Sequence, residues 1–219
     1  MVTLMHFTPL PVCSHAVRTC WESFERSDND GPKDRELIDK VGNKFKHAST
    51  LEHLAYTFFI EDISRALLQE LARHRIASLS VKSTRYTLKE LKDEEAFCLD
   101  LIDLCLLKDA IFKGAHQRAE KYLVYTGDPY TDAGSIIELD ILRRNVISGT
   151  KNDISKFNVP DAYKTKLTWS INARSLQNFL SLRTAPSAMW EIRRLAYNVY
   201  DALPEDHKYL YTACVHRDP

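Results

Sequence analysis

Large apolar residues recur along the chain at two spacings, and each spacing predicts its own kind of element. Val2 to Phe7 alternates weakly and predicts a short strand, stopped by Pro9 and Pro11. Ala16 to Phe24 fits a short helix. Ser27 to Lys33, with Asp28, Asn29, Gly31 and Pro32, reads as a loop, after which Asp34 is placed to cap a helix reaching Val41. Leu54, Tyr56, Phe58 and Ile60 share one face of a strand running to Glu61. Ile63, Ala66, Leu67 and Leu71 then change to helical spacing behind Asp62 as a cap. From Asp93 to Tyr125, Phe97, Leu101, Leu104, Cys105, Lys108, Ile111, Phe112, Ala115, Ala119 and Tyr122 form an apolar stripe, either on one long helix or on two with a break near Gly114. Ser135 to Ile147 predicts another helix through Ile136, Leu139, Leu142 and Val146, with Arg143 and Arg144 near its end. Trp190 to Leu203 is amphipathic, with Ile192, Leu195, Ala196, Val199 and Leu203 inward, and the tail beyond it is expected to be peripheral. The long helices carry more apolar surface than one small sheet can cover, so packing against other subunits is expected.

Composition narrows the class of protein. A chain of 219 residues can bury roughly 70% of its unfolded surface, and one domain spanning residues 1–219 is the default. Thirty basic and thirty acidic residues cancel, which argues against a nucleic-acid coat or an anionic-membrane binder, since both need a broad positive field. No lysine or arginine precedes Arg18, and prolines interrupt the start, so a signal or transit peptide is not expected. No apolar run approaches membrane-spanning length. The scattered cysteines Cys13, Cys20, Cys98, Cys105 and Cys214 form no Cys-x-x-Cys pair, which predicts reduced thiols in a cytoplasmic protein, without disulfides or zinc.

Against this neutral background, the stretch from Gln69 to Tyr86 concentrates charge. Arg73-His74-Arg75, Lys82 and Arg85 occur with no acidic residue between Leu71 and Leu88, which points to an anion site. Arg73 to Arg75 falls in the last turn of a helix or just beyond it, where each cation complements the dipole by about 0.3–1 kcal/mol. The plain alternative is a basic helix end with a solvated face. Two arginines flanking a histidine can hold different partners, and the hydroxyls of Ser83-Thr84-Arg85 beside a guanidinium suit a phosphate. A second polar patch runs from His47 to His53. Its two histidines and Glu52 suggest metal, but the spacing is not His-Glu-x-x-His, so ligand-facing hydrogen bonds or a strand-end network stay open as readings. A third patch spans Trp169 to Arg183, where asparagine, glutamine and arginine interleave with Leu176, Phe179, Leu180 and Leu182, and helical spacing puts Arg174 and Asn178 on one face. Amide side chains both donate and accept, as recognition of a heterocycle edge requires. Cys13, between Pro11 and His15, reads as a small buried residue rather than a nucleophile. The six glycines form neither a dinucleotide fingerprint nor a phosphate loop, so any phosphate is held by side chains.

Arg73-His74-Arg75, seven residues, Ser83 and then Arg85-Tyr86 resemble the signature of the flavin-dependent thymidylate synthases. His47 to His53 is similar to that family's histidine-containing segment, and Asn172-Ala173-Arg174-Ser175-Leu176, Asn178-Phe179-Leu180 and Leu182-Arg183 resemble its C-terminal ligand-binding segment. The resemblance implies an α+β fold with a small, mostly antiparallel central sheet flanked by long helices, assembled as a homotetramer with FAD held between subunits. It implies conversion of dUMP to dTMP, with methylenetetrahydrofolate as carbon donor, FAD as hydride carrier and NADPH as reductant. On the family pattern, Ser49, Arg73, His74, Arg75, Asn172, Arg174 and Asn178 contact the flavin. Glu70, Arg73, Ser83, Thr84, Arg85, Lys156 and Arg183 contact the nucleotide, with Arg183 against the uracil ring as the catalytic cation and Lys156 reaching the phosphate from another subunit. The chain departs from the pattern at Glu70, where glutamine is usual, at Ser80-Val81, where many members have Asn-Glu, at Lys156 in place of arginine and at Ser187 in place of histidine. Two rival readings use the same residues. One is a non-catalytic nucleotide- or RNA-binding module with Tyr86 as a stacking platform, and the other a metal-dependent nucleotide hydrolase using His47, Glu52 and His53.

Overall fold

Period-two burial in two stretches of sequence sets the centre of the fold. The computed structural model describes residues 1–97 and 109–216, with side chains in the second stretch described from residue 113. In chain order the elements are β1 (Val2–Phe7), α1 (Leu10–Thr19), α2 (Pro32–Ile38), β2 (Ala55–Ser64), α3 (Arg65–Leu71), β3 (Ala77–Val81), α4 (Thr84–Thr87), α5 (Asp109–Ala119), α6 (Pro129–Ile147), α7 (Asn152–Ser155), β4 (Lys164–Asn172), α8 (Ala173–Arg183) and α9 (Trp190–Asp201). The strands form one antiparallel sheet in the order β1-β2-β4-β3, so the fold is α+β. Strand β1 pairs with β2 through Val2 opposite Ile60 and Leu4 opposite Phe58, with a register shift between Leu4 and His6. Tyr56, Phe58 and Ile60 on β2 and Leu167, Trp169 and Ile171 on β4 are buried, as alternation along a strand with one face in the core requires.

The chain divides into two compact units interleaved in sequence: Met1–Ile60, Glu70–Ser80 and Leu167–Pro219 form the first, and Glu61–Gln69 and Val81–Lys166 the second. In the first, the apolar face of α8 (Leu176, Phe179, Leu180) and that of α9 (Ile192, Leu195, Ala196, Val199) are buried, with Trp169 edge-on to Phe179 at 5.0 Å. The second has its own core, in which Leu88, Leu91, Phe97, Ala115, Ala119 and Tyr122 pack with Ile136, Leu139, Leu142 and Tyr163. Buried Asp140 accepts from the Phe97 amide at 3.1 Å and from Arg143 and Arg144 at 2.9 and 2.7 Å, so its charge is compensated.

Several elements differ from the sequence expectation, each for a local reason. The prolines that end β1 also begin α1, with Pro9 at its cap and Pro11 in its first turn, where a missing N–H costs nothing. That helix stops at Thr19, and only a 3₁₀ turn covers Phe24–Arg26. Asp34 caps nothing. It is buried against the Arg18 guanidinium, whose Nε lies 2.9 Å from its carboxylate, while Asp28 accepts from the Lys33 and Asp34 amides at 2.8 and 3.0 Å. The cap of α3 is Ser64, whose hydroxyl accepts from the Leu67 amide at 2.9 Å, whereas Asp62 sits inside β2 at φ +58°. Gly114 lies within α5 and marks no break, and the helix ends at Ala119, before Tyr122. Leu101, Leu104, Cys105 and Lys108 of the expected stripe fall outside the described residues, as does Cys98. Helix α6 starts six residues earlier than expected, at Pro129, because Asp128 accepts from the Thr131 amide at 2.8 Å. The tail is not peripheral: His207, Leu210 and Tyr211 are buried, and His207 Nδ1 lies 2.8 Å from the Tyr56 hydroxyl. Cys13 is a buried thiol, donating to the Thr50 carbonyl at 3.3 Å and pushed up to about 12 by burial.

Candidate active site

Local chain geometry aims two separate stretches of the first unit at one cleft. After α3 ends at Leu71, its last carbonyls are closed by the amides of Arg73 and His74, bonded to Glu70 O at 3.4 Å and Leu71 O at 3.1 Å, and residues 73–76 turn away toward β3. Helix α8 is started by Asn172, whose side chain accepts from the Ser175 amide at 2.8 Å. Four-residue spacing then puts Arg174, Asn178 and Leu182 on the face opposite Leu176, Phe179 and Leu180. The cleft, about 950 Å³, is lined by Arg73, His74, Arg75 and Ile76 from the first stretch and by Arg174, Ser175, Asn178, Leu182, Arg183, Ser187 and Ala188 from the second, with Glu52 at one side.

Its electrostatics centre on Arg183. The guanidinium donates from Nη1 to the Glu70 carboxylate at 2.8 Å, from Nη2 to the Glu70 carbonyl at 3.3 Å, and from Nε to His74 Nε2 at 3.0 Å. Accepting that last bond requires a neutral imidazole with its proton on Nδ1. Burial, reinforced by the Arg183 charge, holds His74 down to about 4, and Glu70 opposes the shift only in part. The ring also stands edge-on to Phe179 at 5.0 Å, which fixes its plane. Glu70 takes a weaker contact from Arg73 at 3.7 Å, and Glu52 pairs with Arg174 at 2.6 Å. Four arginines line the cleft and Glu52 is the one carboxylate among its described lining residues, so the site favours an anion. Ile76 and Leu182, 73% and 55% exposed, supply apolar surface beside those charges. Cations for a pyrophosphate, exposed apolar side chains for a ring and the Asn178 amide for a heterocycle edge fit FAD in chemistry and in volume.

Other expected site residues lie elsewhere. Ser49 lines an adjoining cleft of about 380 Å³ with Trp21, Lys46 and His47, and Arg174 lines both. Asn172 lines neither, because its side chain is spent on the α8 cap. Ser83, Thr84, Arg85 and Lys156 share a cleft of about 280 Å³ in the second unit, also lined by Arg65, Val81, Lys82, Tyr163 and Lys164. Here Arg85 pairs with Asp153 at 3.0 Å and Lys82 with Glu90 at 2.9 Å. Lys156 reaches this cleft within a single chain. His47 and Glu52 line different clefts, and among the described residues no group of histidine, cysteine, aspartate or glutamate is arranged to hold a metal ion.

Residues 3–207 match the family model described as thymidylate synthase complementing protein. A flavin-dependent thymidylate synthase of Wolinella succinogenes is 58% identical over 210 residues, covering 96% of both chains. The chain belongs to the flavin-dependent thymidylate synthase family. A Campylobacter jejuni member is 54% identical over 99% of this chain and 98% of its own. The crystal structure of thymidylate synthase X from Helicobacter pylori with FAD and dUMP is similar at a TM-score of 0.89 and 48% identity, covering 99% of this chain and 100% of that one. Sequence reasoning gave no site role to Ile76, nor to Arg65 and Lys164 beside Ser83, whereas Lys82 belongs to the cationic stretch already read as an anion site and Leu182 to the segment already read as ligand-binding. The signal for Lys164 was the alternation Thr165, Leu167, Trp169, Ile171, which makes Lys164 to Asn172 a strand and turns the lysines away from the buried face. Arg65, half-buried at the start of α3, gave no signal, because nothing in the sequence separates it from any other helical arginine.

Proposed function

We propose that this chain reductively methylates dUMP to dTMP, with FAD as hydride carrier, methylenetetrahydrofolate as carbon donor and NADPH as reductant. The observation that carries this reading is the cationic cleft shared by Arg73–Arg75 and Arg174–Arg183, in a chain similar over its length to a relative whose crystal structure holds FAD and dUMP. Arg73, His74, Arg75, Arg174 and Asn178 hold the flavin, with Ser49 at the adjoining cleft. Asn172 supports that set from behind as the cap of the helix that carries it. FAD, when bound, supplies hydride transfer to the nucleotide. Ser83, Thr84, Arg85 and Lys156 take the nucleotide phosphate, each charge-assisted bond contributing about 1.5–3 kcal/mol.

Arg183 is the catalytic cation in this reading. Held between Glu70 and neutral His74, its guanidinium is preorganised to face the uracil and stabilise negative charge developing on the base, which activates C5. Glu70 positions it and meets the same nucleotide. Neutral His74 accepts from Arg183 without adding a competing positive charge. We infer one family domain in a cytoplasmic homotetramer. Three observations support this: the family model runs through both units, Cys13, Cys20 and Cys214 are free, and Ile147, Ile154 and Phe157 are 51%, 61% and 87% exposed.

The test incubates protein reconstituted with FAD with dUMP, methylenetetrahydrofolate and NADPH, and reads dTMP by chromatography beside flavin absorbance. Product that disappears on flavin removal and persists with a chelator is expected. A yellow, folded protein that binds dUMP and forms no dTMP leaves the non-catalytic binding module instead. In the active protein, Arg183→Ala should depress turnover with flavin retained.

A further inference from the structure

We propose that the C-terminal tail is a positioning element of the reaction: through His216 it fixes the last turn of α8, and with it Arg183, beside the flavin cleft. The proposal rests on the catalytic role given to Arg183 above. His216 itself lines neither the flavin cleft nor the phosphate cleft. Helix geometry creates the need for such an element. The last four carbonyls of a helix have no partner within it, and α8 ends at Arg183, so the reacting cation stands where a helix frays first. The loop that follows carries Ser187 and Ala188 into the same cleft as Leu182 and Arg183. Glu70 and His74 grip the Arg183 guanidinium, but a grip on the far end of a long side chain does not fix the backbone beneath it.

The tail supplies that fixation. Short 3₁₀ turns over Glu205–Leu210 and Thr212–Cys214 bring the chain back to the end of α8. His216 Nε2 lies 3.1 Å from the Ser181 carbonyl, which can only accept, so this nitrogen carries the proton and donates. The ring thereby closes one of the open carbonyls, at the helix end where the dipole favours positive charge. The His216 amide donates to the Thr184 hydroxyl at 2.9 Å, and that hydroxyl donates to the Leu180 carbonyl at 2.7 Å. Helix α9 holds both partners: Tyr197 donates to the His216 carbonyl at 2.5 Å, and Arg193 Nε to the Thr184 carbonyl at 3.3 Å. Thr184 is fully buried although His216 is exposed, so directed bonds from the amide, carbonyl and ring of His216, rather than apolar burial, set the tail in place.

The experiment compares wild-type holoenzyme with His216→Ala, with His216→Gln, whose amide can donate to the same carbonyl, and with a chain ending at Cys214. Melting temperature, flavin absorbance, KM for dUMP and kcat are read, together with the rate of flavin oxidation by dUMP and methylenetetrahydrofolate in a single turnover. His216→Ala should slow the single turnover on the order of 3- to 10-fold while dUMP KM, flavin absorbance and melting temperature stay at wild-type values. The shortened chain should lose on the order of 10- to 100-fold, and His216→Gln should recover most of the His216→Ala loss. An unchanged single-turnover rate in folded His216→Ala overturns the proposal. So does a rate that falls only together with the melting temperature and is not recovered by His216→Gln, as a merely structural tail would give. Should the shortened chain fail to fold, His216→Ala, which removes only an exposed ring, decides alone. If the wild type makes no dTMP, the proposed function fails and the hold on Arg183 is still read directly. Modification of Arg183 by phenylglyoxal, followed by peptide mass, should then run faster in His216→Ala than in wild type, and equal rates overturn the proposal.

Discussion

His74 shows how one residue links the site to pH. Its imidazole is held down to about 4 by burial and by Arg183, against about 6.5 in an unfolded chain. Below 6.5 the unfolded state therefore binds the proton first. The stabilising contribution of neutral His74 is present above that pH and is lost progressively as pH falls toward 4. Protonation also converts the acceptor of the Arg183 Nε bond into a donor, setting two cations 3.0 Å apart. Urea midpoints of the flavin-free protein at pH 7 and pH 5 should fall further in the wild type than in His74→Gln, which keeps an acceptor that does not titrate; equal falls would remove His74 from this role. At this scale much of the site was legible: Arg73, Arg75, Arg174, Asn178 and Arg183 announce themselves as cations and an amide where a core element has no use for them. The carboxylates that hold them were not. Glu52 and Glu70 stood out in sequence for other reasons, a metal reading and a nucleotide contact, and only tertiary approach, across more than a hundred residues in each pair, makes them partners of Arg174 and Arg183.

Among elements, α8 is the one whose start decides the site. Asn172 satisfies the Ser175 amide, and from that cap Arg174, Asn178 and Arg183 take their places. Replacing Asn172 with alanine should cost about 1 kcal/mol and lower the melting temperature by roughly 2–4 °C. Asn172→Asp should keep the melting temperature and the flavin absorbance together, because aspartate caps as well as asparagine. Flavin loss in a fully stable aspartate variant would instead show that the amide touches the cofactor. The strands with plain alternation, β1 and β2, were readable at this scale, as were α8 and α9. Strand β3 was not, although Ala77, Leu79 and Val81 alternate with Ser78 and Ser80, because its five residues lie inside the cationic stretch and were read for charge, and β4 was obscured by a polar segment that changes from strand to helix at Asn172. The tail was misjudged for a related reason. His207, Leu210 and Tyr211 lie on short 3₁₀ turns with no period to reveal that they are buried.

For the molecule as a whole, a net charge of zero coexists with two clefts rich in cations, so the positive field is local and suited to small anionic ligands rather than to a polymer. FAD should accordingly act as a ligand of the folded state alone. At a free concentration one hundred times its Kd it should add about 2.7 kcal/mol of stability. Thermal melts should rise by roughly 5–10 °C with FAD, and an unshifted melt would argue against a flavin site in the native protein. The chain passes between its two units at residues 60–61, 69–70, 80–81 and 166–167. No single cut in the gene therefore yields either unit whole. Any single crossover between two relatives therefore divides the first unit between the parents, so a chimera's melting temperature should fall as the two halves of that unit's core differ.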